Sequence, residues 1–431
     1  MNVRSLNRFT ARMLGLILLC LCAPAAGASV SAQDTHEVMK PVRSGRKPVA
    51  KTGGPAALAP AGKKFDLDLF EANVKKAFDG KSIGYAYAIN QTGQLKRSGA
   101  NGYAILARDI QGILVDDPKG IRHHQTLRMN IASVSKPITA VTVLRLLQAN
   151  KVDGHPNLTI NSKVAPFLPS TWKLGPGVAD LTFKDFMSQY TGMNDNKGAT
   201  DTPSLKAWLA TGVTREKSDY IYINGNLAIF RIIIPYMTLS QRLRDNYSEL
   251  DKTDPAKFDD LTSARYVETV NKWTLAPMGI PEARCEFFSN THETRFYTYP
   301  DNGAPGRLAG DWTKVGGGGG WYLSARELAQ FLAYVRYSDK ILTTATRKLM
   351  DENYLGWMDP DEWDLNYEHG AYLGHRGDLR YNKDDPAKRT GMTSLILNYP
   401  NGVQVAVLVN SLGTYGQIHT QMAAAFDAAW K

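Results

Sequence analysis

Residues 131–149 constrain this chain more than any other segment. The run Ile-Ala-Ser-Val-Ser-Lys-Pro-Ile-Thr-Ala-Val-Thr-Val-Leu-Arg-Leu-Leu-Gln-Ala is almost unbroken in its apolar character. Its spacing predicts a helix with Ile138, Val141, Leu144 and Leu147 on one face. Val143 and Leu146 fall on other faces. A helix that is apolar nearly all round cannot lie on a surface and has to be enclosed by other elements. With 431 residues, 43% of them hydrophobic, the chain is long enough to enclose it.

The elements that do so are predicted on both sides of it. A helix with Leu69, Val74 and Phe78 among its apolar positions opens the folded part near Phe65. Alternating patterns then predict strands over 82–90 and 93–103, joined by a polar turn at Gln91-Thr92. From 131 to about 310 the pattern is helical, broken at Pro169, Pro176, Pro255, Pro277 and Pro281. The run Gly316–Gly320 reads as a low-complexity break. Ser324 with Glu327 then marks a capping box ahead of Leu328, Phe331, Leu332 and Val335. Strands return over 371–377, 393–399 and 403–410, the last two around Pro400-Asn401-Gly402, whose Asn-Gly signals a hairpin. A helix over 415–430 ends the chain. The implied fold class is α/β with an all-α part: an antiparallel sheet built from both chain ends (about 65–130 and 316–431), with a helical lobe (about 131–315) inserted between.

The first 64 residues are of another kind. Arg4, Arg8 and Arg12 precede a short apolar run, Met13 to Cys22, and small residues follow, the pattern of a signal peptide ending at Ala28 or Ala32. Residues 29–64 read as a disordered basic linker, suited to touch anionic cell-wall polymers. Ten of the 51 basic residues and only two of the 41 acidic ones lie in 1–64. The remainder is nearly neutral, 41 against 39, so the net charge of +10 is no argument for nucleic acid. Export to the periplasm or medium is the expectation, with no membrane span left after cleavage. Cys20 and Cys22 belong to the leader, which leaves Cys285, read as a half-buried structural thiol. The eight histidines are scattered, and no metal or other cofactor is expected.

Three short motifs carry the chemistry. Ser133-Val134-Ser135-Lys136 opens the buried helix, and residues three apart share a face there, so the two side chains can meet. A serine hydroxyl needs a base, and a lysine whose pKa is lowered by burial can serve. Taken alone, the pair also fits a capping serine before a surface lysine, and Ser44…Lys47 and Ser170…Lys173 repeat the spacing without that context. Tyr222-Ile223-Asn224 offers a phenol for proton relay and an amide able to donate and accept. His375-Arg376-Gly377 lies in a predicted strand, where alternation puts His375 and Gly377 on one face and Arg376 on the other.

In this order the motifs resemble the serine β-lactamase/penicillin-binding-protein family, especially its class C-like branch. Residues 129–139, 181–193, 277–279 and 319–331 are similar to further blocks of that family. The resemblance implies a β-lactamase/DD-peptidase-like fold and an acyl-enzyme mechanism. It implies catalytic roles for Ser133, Lys136 and Tyr222, and substrate contacts for Asn224, His375, Gly377 and Asp378, with the N–H groups of Ser133 and Asp378 as the oxyanion hole. Loss of protons from Lys136 and Tyr222 would place the pH optimum high. The departures are Asp378, where a small neutral residue is usual, and Gln189-Tyr190-Thr191 in place of His-Thr-Ser. The expected function is an exported serine hydrolase acting on a D-amino-acid peptide, a peptidoglycan-like molecule or a small ester. A β-lactamase proper, or a catalytically silent ligand-binding protein in which Asp378 has disabled the site, are the competing readings.

Overall fold

The computed structural model describes residues 62–110, 117–288, 292–367, 369–413 and 417–431. The leader and most of the basic linker lie outside them.

The folded part starts where the sequence turns apolar. Phe65 bridges Trp430, so the two ends of the domain pair with each other. Asp66 accepts the Leu69 N–H and caps helix α1 (Leu67–Phe78). The first hairpin follows, β1 (Gly84–Gln91) and β2 (Gln94–Leu106). Its turn is Thr92-Gly93, one residue later than the sequence suggested. Both residues have positive φ, +49° and +77°, as a tight two-residue hairpin turn demands.

Next come β3 (Gly120–Arg122), β4 (Met129–Asn130) and α2 (Ser135–Ala149). The helical part comprises α3 (Phe183–Met187), α4 (Thr202–Thr211), α5 (Asn224–Ala228), α6 (Phe230–Thr238), α7 (Gln241–Thr253) and α8 (Pro255–Val270). Then follow β5 (Tyr297–Thr298), β6 (Tyr322–Leu323), α9 (Ala325–Tyr337) and α10 (Thr344–Glu352). A small ladder, β7 (Asn366–Tyr367) and β8 (Gly370–Ala371), leads into β9 (Leu373–Tyr381). The chain closes with β10 (Thr390–Asn398), β11 (Val403–Val409), β12 (Ser411–Leu412) and α11 (Ile418–Asp427).

Among the described residues eight of these strands form one sheet in the order β12-β5-β10-β11-β1-β2-β3, with β9 added on β10, while β4 pairs with β6 and β7 with β8. Both chain ends supply it, and β1 pairs directly with β11. The sheet is antiparallel apart from the two-residue pairing of β12 with β5. β5 comes from the segment read as helical.

Helices cover both faces of the sheet, and the strands show it. In β11, Val403, Val405, Val407 and Val409 join Phe70, Val74 and Phe426 of α1 and α11 in one apolar cluster. Ala406 and Leu408 join the other cluster, with α2 and α9. A strand buried on both sides reads as a continuous apolar run. α2 is enclosed as its composition requires: only Arg145, Gln148 and Ala149 reach solvent. It stops at Asn150, which takes the left-handed conformation at φ +50°. Cys285 is fully rather than half buried, and burial pushes its thiol pKa up, which makes it inert. Among the described residues no helix is long and apolar enough to cross a membrane.

Leu144 sits in the main cluster at 1% exposure. Leu144→Ala is expected to lower unfolding free energy by about 2–5 kcal/mol, the range for a buried leucine whose cavity cannot collapse. Urea denaturation of the two proteins measures it.

Candidate active site

Ser133 does not stand in the long helix as its sequence position suggested. It occupies a single 3-10 turn, Ala132–Val134, between β4 and α2. Ala132 causes the break. Its φ is +47°, a region that costs a non-glycine residue about 1–3 kcal/mol. Neighbours hold it there: Asn130 Oδ1 accepts the Ala132 N–H at 2.8 Å, and the Ile131 carbonyl accepts from Ser394 Oγ at 2.7 Å. The turn runs straight into α2, so Ser133 and Lys136 still lie one turn apart.

Lys136 is fully buried. Its Nζ lies 2.8 Å from Ser133 Oγ, 2.9 Å from Asn224 Oδ1 and 2.6 Å from the Gly318 carbonyl. Two of these partners can only accept, while the hydroxyl can also donate. An ammonium fills this set by donating to all three oxygens, and a neutral amine fills it by donating to Asn224 and Gly318 and accepting from Ser133, so the geometry accommodates both forms. Desolvation favours the neutral form, holding the Lys136 pKa well below its ordinary value of 10.5. Among the described residues no carboxylate is a partner of Nζ.

The glycine run proves to be part of this arrangement rather than a mere break. Gly317 has φ +94°, and a Cβ there would lie 2.8 Å from the Leu227 carbonyl. A side chain would therefore push the strip away from α5 and withdraw the Gly318 carbonyl from Lys136.

Tyr222 and Asn224 come from the start of α5. Gln189 fixes them: its Oε1 accepts the Ile223 N–H at 3.0 Å and Asn226 Nδ2 at 2.7 Å. That buried glutamine is the residue that stood out in the sequence only as a departure. Tyr222 is 3% exposed, with Lys136 Nζ 4.9 Å from its ring centroid and Trp363 edge-on at 5.5 Å. Burial pushes its phenol pKa upward, more than the neighbouring Ser133 hydroxyl and the Arg376 charge pull it down. The phenol is therefore neutral, and of the two proton carriers Lys136 is the one the site makes basic.

The third motif lies on β9, whose ladder partner is β10. Alternation holds as expected. Gly377 faces the Ala132–Val134 turn, and a Cβ there would lie 2.8 Å from the Ser133 N and 2.6 Å from the Ile131 carbonyl. What the glycine admits is thus the protein's own backbone, set against the strand. His375 is buried, and its Nδ1 lies 2.6 Å from the Arg376 carbonyl. A carbonyl only accepts, so Nδ1 carries the proton and Nε2 the lone pair. Burial holds the His375 pKa well below its ordinary value. His375 is therefore neutral and offers the site no cation.

Arg376 and Asp378 project to the other side. The Arg376 guanidinium lies 5.0 Å from the Trp363 ring centroid, 3.1 Å from His419 Nδ1 and against Gln417 of the α11 start. Asp378 pairs with it at 3.2 Å. That pairing compensates the Asp378 carboxylate. Ala132, Ser133, Tyr222, Asn224, Trp312, Asp378 and Leu379 line a narrow cleft. Of the seven residues singled out in the sequence, Ser133, Tyr222, Asn224 and Asp378 line it, and Lys136, His375 and Gly377 lie against these. Asn130, Gln189, Trp363 and the Gly318 carbonyl carry no such signal. A carbonyl has no side-chain signature, and the other three act by holding their neighbours.

The family model described as Beta-lactamase matches residues 68–428. The chain belongs to the β-lactamase family. Solved members share its fold. The octameric penicillin-binding protein homologue from Pyrococcus abyssi is 17% identical over 84% of this chain and 77% of its own, with a TM-score of 0.58. A class C β-lactamase from Rhodobacter sphaeroides is 15% identical over 84% and 97%, with a TM-score of 0.54. A D-stereospecific amidohydrolase from Streptomyces sp. is 14% identical over 84% and 98%, also at 0.54. A comparison with curated proteins gave no match. At such identities the likeness is one of fold, and this β-lactamase-family site has to be read from its own geometry.

A lysine with a lowered pKa leaves a mark on stability. The unfolded chain titrates Lys136 near 10.5 and the folded chain titrates it lower. Between those pKa values the unfolded state binds more protons, so stability rises with pH. Below the folded pKa both states are protonated and the effect is constant. Denaturation of wild type and Lys136→Met at several pH values is expected to show the difference moving in favour of wild type from pH 7 towards pH 10. A pH-independent difference would mean an unshifted lysine.

Proposed function

We propose that this protein is an exported serine hydrolase that cleaves an amide or ester through an acyl-enzyme on Ser133. The observation that carries the reading is the buried Lys136 amine, 2.8 Å from Ser133 Oγ and with no carboxylate among its described Nζ partners. The neutral amine takes the serine proton as Oγ attacks the carbonyl. The resulting ammonium finds Asn224 Oδ1 and the Gly318 carbonyl already in place as acceptors. Tyr222, a neutral phenol beside the same hydroxyl, gives its proton to the leaving group and takes one back from the Lys136 ammonium. The N–H groups of Ser133 and Asp378 hold the oxyanion, and Gly377 keeps the two backbones close enough to do so. Asn224 orients the acyl amide once Lys136 turns towards the leaving group.

The neutral His375 argues for D-amino-acid peptides, amides or simple esters over β-lactams, because it offers no cation to a β-lactam carboxylate. The pairing of Asp378 with Arg376 weighs against a silent site. The signal-peptide pattern supports export, with the basic tail facing the envelope.

A fluorophosphonate is expected to label the wild-type protein and not Ser133→Ala. Absence of labelling in the wild type would overturn the hydrolase reading. The labelling rate should rise with pH along a single limb well below 10.5, the limb of Lys136, and should not wait for the phenol. A rate that starts to climb only above pH 10 would assign the base to Tyr222 instead.

A further inference from the structure

Among the described residues that line the catalytic cleft, Asp378 is the one that carries a charge, and the charge is negative. It shares the cleft with Ser133, Tyr222 and Asn224, and Trp312, Val315 and Leu379 supply apolar wall. Lys136 and His375 lie against this lining rather than in it, and burial drives both towards their neutral forms. Alternation along β9 sets Arg376 and Arg380 on the same side of the strand as Asp378, yet neither lines the cleft.

The carboxylate is balanced from outside the cleft and left open within it. Asp378 Oδ2 lies 3.2 Å from Arg376 Nη2, but that oxygen is buried and accepts no hydrogen bond from a described residue. The contact is one of charge without alignment, because the guanidinium is engaged with Trp363, His419 and Gln417. A buried carboxylate oxygen without a donor gains from any donor a ligand brings. The Asp378 charge also reaches the reacting centre: burial raises the Tyr222 phenol pKa most, and the carboxylate adds to that rise. With its own N–H in the oxyanion hole, Asp378 sets a negative side chain near the place where negative charge develops. Repulsion there, across an apolar cleft, works against a neutral or anionic substrate. A cation on the substrate turns the same carboxylate from a penalty into an attraction, which is how a charge comes to discriminate between substrates.

We propose that the Asp378 side chain selects substrates that carry a protonated amine next to the scissile carbonyl, as the free α-ammonium of an amino-acid amide or ester does. The proposal rests on the hydrolase reading of the cleft. The Asp378 N–H holds the oxyanion while its carboxylate accepts from the ammonium, so one residue fixes both sides of the carbonyl. An N-acylated peptide, or an acyl group without an amine, lacks this contact and meets only the repulsion.

D-alanine methyl ester and methyl isobutyrate differ at one group, an ammonium in the first and a methyl in the second. Both are assayed at pH 7 with the full chain and with Asp378→Asn, which keeps the backbone N–H and removes the charge. The ratio of the two kcat/KM values cancels any general damage to the site. It is expected to fall about tenfold or more in Asp378→Asn, the size of one hydrogen bond to a charged group. An unchanged ratio in an enzyme that a fluorophosphonate still labels would overturn the proposal and leave the hydrolase intact. Adding Arg376→Gln to Asp378→Asn separates direct recognition from release of the Arg376 charge. The ratio should stay low in the double variant, and its return to the wild-type value would count against contact between Asp378 and the amine. If the wild type turns over neither ester and takes no label, the hydrolase reading fails and binding decides alone. Calorimetric titration of Ser133→Ala with D-alaninamide and with isobutyramide should then show tighter binding of the amine, lost when Asp378→Asn is added. Equal binding of the two amides would overturn the proposal as well.

Discussion

A buried lysine amine with no carboxylate among its described partners is the interaction on which the rest of this structure turns. Taking an ammonium out of water costs several kcal/mol unless a counter-charge comes with it. Here none is among the described partners, and burial drives the amine towards its neutral form. Its surroundings suit that outcome: two obligate acceptors and one hydroxyl, set 2.6 to 2.9 Å from Nζ. The same choice that relieves the burial cost produces a base beside Ser133.

Each partner of Lys136 comes from a different part of the chain, and the fold exists to hold them together. α2 carries the lysine through the centre of the domain. The helical part delivers Asn224, fixed by Gln189. The glycine strip before β6 delivers the Gly318 carbonyl and threads against α5 only because it lacks side chains. The sheet, assembled from both ends of the chain, delivers β9, and Gly377 lets that strand close on the nucleophile turn. Strain at Ala132 is the cost of presenting the serine ahead of the helix. Asn130 and Ser394 hold the turn against it.

Much of this is legible in the amino-acid sequence. Apolar periodicity locates α2, α9 and the β10–β11 hairpin, because those elements are buried and their side chains record it. The three motifs name six of the seven residues singled out, and Asp378 follows the third, since Ser, Lys, Tyr and His carry chemistry in their side chains. What the sequence conceals has one origin. The break before α2, the Thr92-Gly93 turn and the Gly318 carbonyl are backbone facts, and Ala132 looks like any helix former. The neutrality of His375 and the pairing of Asp378 with Arg376 depend on burial and on which face of a strand a residue takes. Alternation supplies the face, but only packing supplies the burial.

The protonation state of Lys136 can be read directly. In protein labelled with carbon-13 lysine, the Cε resonance of Lys136 is identified as the one missing from Lys136→Met. Followed from pH 6 to 11, it should titrate well below the other lysines and be at its neutral-amine position by mild alkali. A resonance that keeps its ammonium position up to pH 10 would contradict the account, because Ser133 would then have no base at Lys136.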